Sequence, residues 1–143
     1  MNPRAIDTAS RPLVLVWEVT QACNLSCKHC RADAKPDSHP DELTTAAGKA
    51  LLDEVRTFGE SQLVVLSGGD PLARDDLVDL VDHGTDRGLL MTLTPSGTDS
   101  LTPAVIEDLM AADLRRIALS LDGATAAAHD EFRGERRSEE RRV

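Results

Sequence analysis

Aromatic residues are nearly missing: the chain has one Trp, two Phe and no Tyr among 143 residues. Any core must therefore be closed by Leu, Val, Ile and Ala, and a hydrophobic share of 41% is enough for one ordinary domain. Lysine is scarce too, at three residues against thirteen Arg. With 25 acidic residues against 16 basic ones the net charge is −9. Such a surface lacks the basic footprint that nucleic-acid phosphates need and is repelled by an acidic membrane leaflet, so neither partner is expected. Its Asp-rich, Lys-poor balance fits a halophilic host, whose salt screens the self-repulsion. No apolar run approaches the roughly eighteen residues of a membrane span. Residues 1–12 form a polar leader without the apolar stretch of a signal peptide, so a cytoplasmic location is expected.

Cysteine is absent everywhere except in one loop, where Cys23, Cys27 and Cys30 follow the first apolar run. Three thiolates from one loop suit an iron–sulfur cluster that keeps one iron open, because a [4Fe–4S] cluster filled by protein alone takes four cysteines. A zinc site wants four ligands, usually in two separated pairs, and His29 lies awkwardly between two of the cysteines. A disulfide framework wants an even count. Cluster, zinc site and plain reduced thiols stand as the three readings.

The rest of the chain alternates in period. Leu13–Trp17 is continuously apolar and reads as a strand covered on both faces. A helix is expected over Thr45–Phe58, capped by Thr44, with Leu51, Leu52, Val55 and Phe58 inward and Gly59 at its end. Leu63–Leu66 is a second strand, and Asp75–His83 a helix burying Leu77, Leu80 and Val81. Leu89–Thr94 gives a third strand. Thr102-Pro103 opens a helix with Val105, Ile106, Leu109 and Met110 inward. Arg116–Leu121 is the fourth strand, and Thr125–Phe132 a last short helix. The fold class is therefore α/β: four βα units on a parallel sheet, in a core domain at 13–134. Residues 135–143 reduce to Glu, Arg, Ser and a final Val, a charged tail that reads as frayed or disordered.

Parallel α/β folds gather ligands at the C-terminal ends of their strands. The candidate motifs fall there: the cysteines, then Gly68-Gly69-Asp70-Pro71, then Ser96, then Ser120-Leu121-Asp122-Gly123. Paired glycines let a ligand approach the backbone, and the carboxylate after them can accept from an ammonium group. A tight strand-to-helix turn would use the same residues, Ser96 reads as a plain turn residue, and His129 and Asp130 read as a solvated helix face.

The C-x3-C-x2-C spacing, the Gly-Gly-Asp element and the Ser120 to Gly134 region together resemble the radical S-adenosylmethionine (radical SAM) family, over about 120 residues from Leu13 to Gly134. The resemblance implies a partial TIM-like barrel, with a [4Fe–4S] cluster on Cys23, Cys27 and Cys30 and SAM chelating the open iron. It implies that Gly68, Gly69 and Asp70 hold the methionine amino group, Asp70 replacing the family's Glu, and that Ser120 and Arg133 meet the ribose or carboxylate. His29 takes a position near the adenine that is often aromatic. The wording of the cysteine loop is similar to the haem-pathway and peptide-modifying branches, which implies a small-molecule or peptide substrate and an electron donor such as ferredoxin or flavodoxin.

The family's barrel has six βα units, and this chain supplies four. The expectation is therefore a truncated copy whose fourth strand forms an open edge, available to a second chain that completes the barrel. Two functions follow: reductive cleavage of SAM to a 5′-deoxyadenosyl radical, or an inactive cluster-binding fragment that needs a second polypeptide.

Overall fold

The computed structural model describes residues 8–134. The first seven residues of the leader and the whole tail at 135–143 lie outside the described residues. Strand and helix alternate through β1 (Val14–Thr20), α1 (Thr45–Arg56), β2 (Leu63–Gly68), α2 (Leu77–Asp86), β3 (Leu90–Leu93), α3 (Pro103–Ala111), β4 (Arg116–Ile117) and α4 (Ala126–Arg133). All pairings are parallel, in the order β1-β2-β3-β4. The result is a (βα)4 half-barrel. Among the described residues no helix is long and apolar enough to cross a membrane.

Register explains which face is covered. Trp17 pairs with Leu66, and Leu66 with Leu93, so one row of side chains is carried across three strands onto the helices. Leu52 and Val55 of α1, Leu77, Leu80 and Val81 of α2, and Leu109 of α3 close the core from that side. Aliphatic residues do this almost alone, as the shortage of rings requires. Threonines start three of the helices: the Thr44, Thr102 and Thr125 hydroxyls accept from the amides of Ala47, Val105 and Ala128, each cap worth about 1 kcal/mol.

Several sequence expectations are corrected. The first strand is not covered on both faces; as a sheet margin it leaves Val14 and Val16 exposed. The first helix ends at Arg56, so Phe58 falls past it and is exposed, and Met110 on α3 is exposed as well. The fourth strand keeps two residues, since β3, its one partner among the described residues, ends at Leu93, and Leu119 and Leu121 are 57% and 80% exposed. The second helix starts at Leu77, after a single 3-10 turn at Pro71–Ala73.

That late start has a cause. Asp76 does not cap α2; its carboxylate receives the Arg74 guanidinium through Nε at 2.8 Å and Nη2 at 2.7 Å. The same guanidinium donates to the carbonyls of Val19 at 2.9 Å and Leu43 at 3.0 Å. Thr45 adds a 2.6 Å bond to Asp76. One side chain thus fastens the end of β1, the entry to α1 and the entry to α2. Nearby, Glu42 accepts from the Thr20 hydroxyl and from the amides of Gln21 and His39. Burial pushes the Glu42 carboxyl up, but these bonds and Arg74 outweigh it and hold it low.

The Asp76 carboxyl is held below its ordinary value, chiefly by the hydrogen bonds from Arg74. A depressed folded pKa contributes stability that is complete above the unfolded value of about 3.9 and is lost as pH falls through the folded one. Thermal melts between about pH 7 and pH 2 should therefore fall steeply only below about pH 4, and Asp76→Asn should flatten that acid limb. An identical limb in the variant would remove Asp76 from the account.

Candidate functional site

The cysteine loop leaves β1 and is seated by partners distant in sequence. Thr20 and Ala22 carbonyls accept from the amides of Gly69 and Asp70, and the Cys23 amide donates to the Lys35 carbonyl at 2.7 Å. The far side of the loop rests on α4. Ser26 and Lys28 amides donate to the carbonyls of Arg133 and Phe132 at 3.2 and 2.9 Å, so the loop occupies acceptors that a helix end leaves open. Lys28 pairs with Glu131, and His29 stacks on Phe132 with ring centroids 4.7 Å apart.

These anchors turn all three thiols into one cleft of about 320 Å³, whose walls include Gly68, Gly69, Ser96, Ser120, Asp122 and Arg133. The cysteines are free. Two of the sulfurs already accept backbone donors: Leu25 N–H points to Cys23 Sγ at 3.4 Å and Ala34 N–H to Cys30 Sγ at 3.3 Å. Amide donors of this kind stabilise thiolates and tune a cluster bound to them. Among the described residues no three His, Cys, Asp or Glu side chains are grouped to share one metal ion.

The glycines are steric requirements. A Cβ on Gly69 would lie 2.3 Å from the Ala22 carbonyl oxygen, and one on Gly68, whose φ is +141°, 2.3 Å from that of Thr20. Close packing of the β2 exit against the cysteine loop accounts for both. Asp70, the expected ammonium acceptor, is engaged by the protein itself. It is 3% exposed, and its carboxylate is filled by the Ser96 amide at 3.3 Å, the Leu72 amide at 3.2 Å and the Thr98 hydroxyl at 2.8 Å. Its short side chain caps the 3-10 turn and ties it to the loop after β3.

Ser120 stands exposed on the cleft wall, and Arg133 is buried behind it. Arg133 Nη2 donates to the Ser96 carbonyl at 2.6 Å, while its Nε lies 3.7 Å from Asp122 Oδ2. Those last two atoms are buried and have no hydrogen-bond partner. His129 is not simply on a solvated face: its Nδ1 accepts from the Asp122 amide at 3.1 Å and braces the turn after β4. Of the residues that organise the site, the sequence offers Ser96 as a turn residue and Asp122 within the motif after the fourth strand, and gives no reading of Thr98. A hydroxyl two residues beyond Ser96 was its only signal.

A parallel half-barrel that gathers three free thiols and an under-satisfied polar cleft at its strand ends defines an iron–sulfur partial-barrel fold. The Radical SAM superfamily model matches residues 17–143, and the chain belongs to that superfamily. It is 41% identical to an AdoMet-dependent heme synthase of Nitratidesulfovibrio vulgaris over 134 residues, 93% of this chain and 36% of the relative. It is 38% identical to the mycofactocin maturase MftC of Mycobacterium tuberculosis over 137 residues, 92% of this chain and 34% of the relative. The chain thus spans about a third of the length of these curated relatives. The fold is similar to that of Streptococcus suis SuiB bound to S-adenosylmethionine, with TM-score 0.74, 22% identity, and cover of 89% of this chain and 29% of that one.

The superfamily works with a [4Fe–4S] cluster and SAM, and the residues present fit both. Three thiols reach one cleft. The orphaned Arg133 Nε and Asp122 Oδ2 are a donor and an acceptor suited to a ligand that carries a carboxylate and hydroxyls.

Proposed function

We propose that Cys23, Cys27 and Cys30 hold a [4Fe–4S] cluster and that SAM lies beside it, against Gly68, Gly69, Ser120, Asp122 and Arg133. With both bound, the cluster supplies the electron for reductive cleavage of SAM to a 5′-deoxyadenosyl radical. The chain's own part is to seat and orient. Glycine backbone forms a wall without side chains, Arg133 Nε offers a buried positive donor, and His29, braced on Phe132, offers a ring face at the cleft edge. Asp70 is left out of the contact set. The observation that carries the reading is that Cys23, Cys27 and Cys30 line one cleft together with Asp122 and Arg133, which hold two buried polar atoms without a hydrogen bond.

The identities to a heme synthase and a peptide maturase support a tetrapyrrole-pathway or peptide substrate. The electron donor is then a ferredoxin or flavodoxin, in a cytoplasm that keeps the thiols reduced. A second reading, a cluster-binding part that needs another polypeptide, is favoured by a β4 edge with no partner strand among the described residues and by the exposed Leu119 and Leu121. Anaerobic reconstitution, dithionite reduction and SAM addition separate the two. Release of 5′-deoxyadenosine by the chain alone supports cleavage by four βα units. Bound iron and sulfide without release support the second reading, and absence of iron and sulfide overturns both.

A further inference from the structure

Ser96 is the most connected residue of the cleft, and nothing in its sequence context as a turn residue requires that. Its amide donates to Asp70 Oδ1 at 3.3 Å, and its carbonyl accepts from Arg133 Nη2 at 2.6 Å. Asp70 is itself fixed by Thr98 at 2.8 Å. With the backbone pinned on both sides, the hydroxyl donates to the Gly69 carbonyl at 3.1 Å and lies 3.8 Å from Cys23 Sγ, where either atom can donate. A serine hydroxyl has one hydrogen to give. Toward a neutral thiol the nearer carbonyl is the better acceptor; toward a thiolate the bond is charge-assisted and roughly twice as strong.

We propose that Ser96 is a positioning residue for the cluster, whose hydroxyl turns from Gly69 to the Cys23 thiolate once iron is bound and sets the cluster's reduction potential through that bond. The inference rests on the cluster reading above. Reduction adds negative charge that spreads onto the cysteine sulfurs, so a donor at Cys23 stabilises the reduced form and raises the potential. Cys23 is the most buried of the three thiols, and burial strengthens the effect of a single dipole. Asp70, Thr98 and Arg133 act one step further out, holding Ser96 at that distance.

The test is a potentiometric titration of the reconstituted chain without SAM, followed by the electron paramagnetic resonance signal of the reduced cluster. Ser96→Ala should load the same iron and sulfide and titrate at a more negative midpoint, while Ser96→Thr, which keeps the hydroxyl, should return to the wild-type midpoint. Ser96→Gly removes the same donor and replaces the alanine variant if that one does not load. A role in packing alone would change loading or melting temperature but not the midpoint of the loaded fraction. Equal midpoints in wild type, Ser96→Ala and Ser96→Thr at equal iron content overturn this inference and leave cluster binding intact. A wild-type chain that takes up no iron and sulfide overturns the inference together with the reading it rests on.

Discussion

Cys27→Ala yields a folded chain that no longer holds iron and sulfide after anaerobic reconstitution. Each thiolate takes one iron, so this change removes a whole ligand and leaves two cysteines for a cluster that needs three from the protein. Loss of a partner that merely supports a metal ligand costs roughly 10–100-fold in affinity, and loss of the ligand itself should exceed that. The fold should hardly notice. Cys27 is half-buried, its sulfur makes no bond that the loop depends on, and the loop is seated through the backbone of Ser26 and Lys28. A change within about 0.5 kcal/mol is expected for such a truncation. Iron and sulfide analysis, visible absorbance and a thermal melt check all of this. Undiminished cluster content in the variant would remove Cys27 from the ligand set.

Arg74→Ala is the expected counterpart: a large loss of stability from a residue outside the cleft. The guanidinium side chain is 10% exposed and its Asp76 partner 19%, so removal leaves a mostly buried carboxylate unpaired and opens the carbonyls of Val19 and Leu43. Breaking a fully buried pair in this way costs about 3–5 kcal/mol; with partial solvent access, about 3 kcal/mol is the better figure. For a chain of this size that is a fall of about 10 °C in melting temperature. Arg74→Lys should recover little, because one ammonium cannot span a bidentate carboxylate and two carbonyls. Denaturant melts of both variants give the measurement, and a lysine variant as stable as wild type would show that charge alone suffices.

What the sequence makes legible here is whatever depends on near neighbours. The Thr44 and Thr102 caps and the alternation of strand and helix are local, and the structure has the caps at those residues and the elements in that order. Arg74 was invisible because its partners at 19 and 43 come together only in the folded chain. The bonds of Asp70 are hidden for the same reason: its carboxylate accepts from Thr98 and Ser96, 28 and 26 residues away. The fourth strand looked long because apolar residues continue to Leu121, but a ladder ends where its next neighbour does. Met110 sits on the expected stripe of α3 and Phe58 just past the end of α1, and a stripe says which residues could be buried, not what covers them.

The seating of the cysteine loop on α4 also sets an order of events in time. Lys28 and its partner Glu131 are 103 residues apart, with the Ser26 and Lys28 amide bonds to Arg133 and Phe132 at a similar separation. A ribosome adding roughly 5–20 residues per second produces the thiols some 5–20 s before the helix that props them. For that interval the cysteines belong to an unfinished loop. Until α4 has been made, the loop lacks the backbone acceptors of Phe132 and Arg133 that seat it, so its geometry is fixed only by a segment made much later.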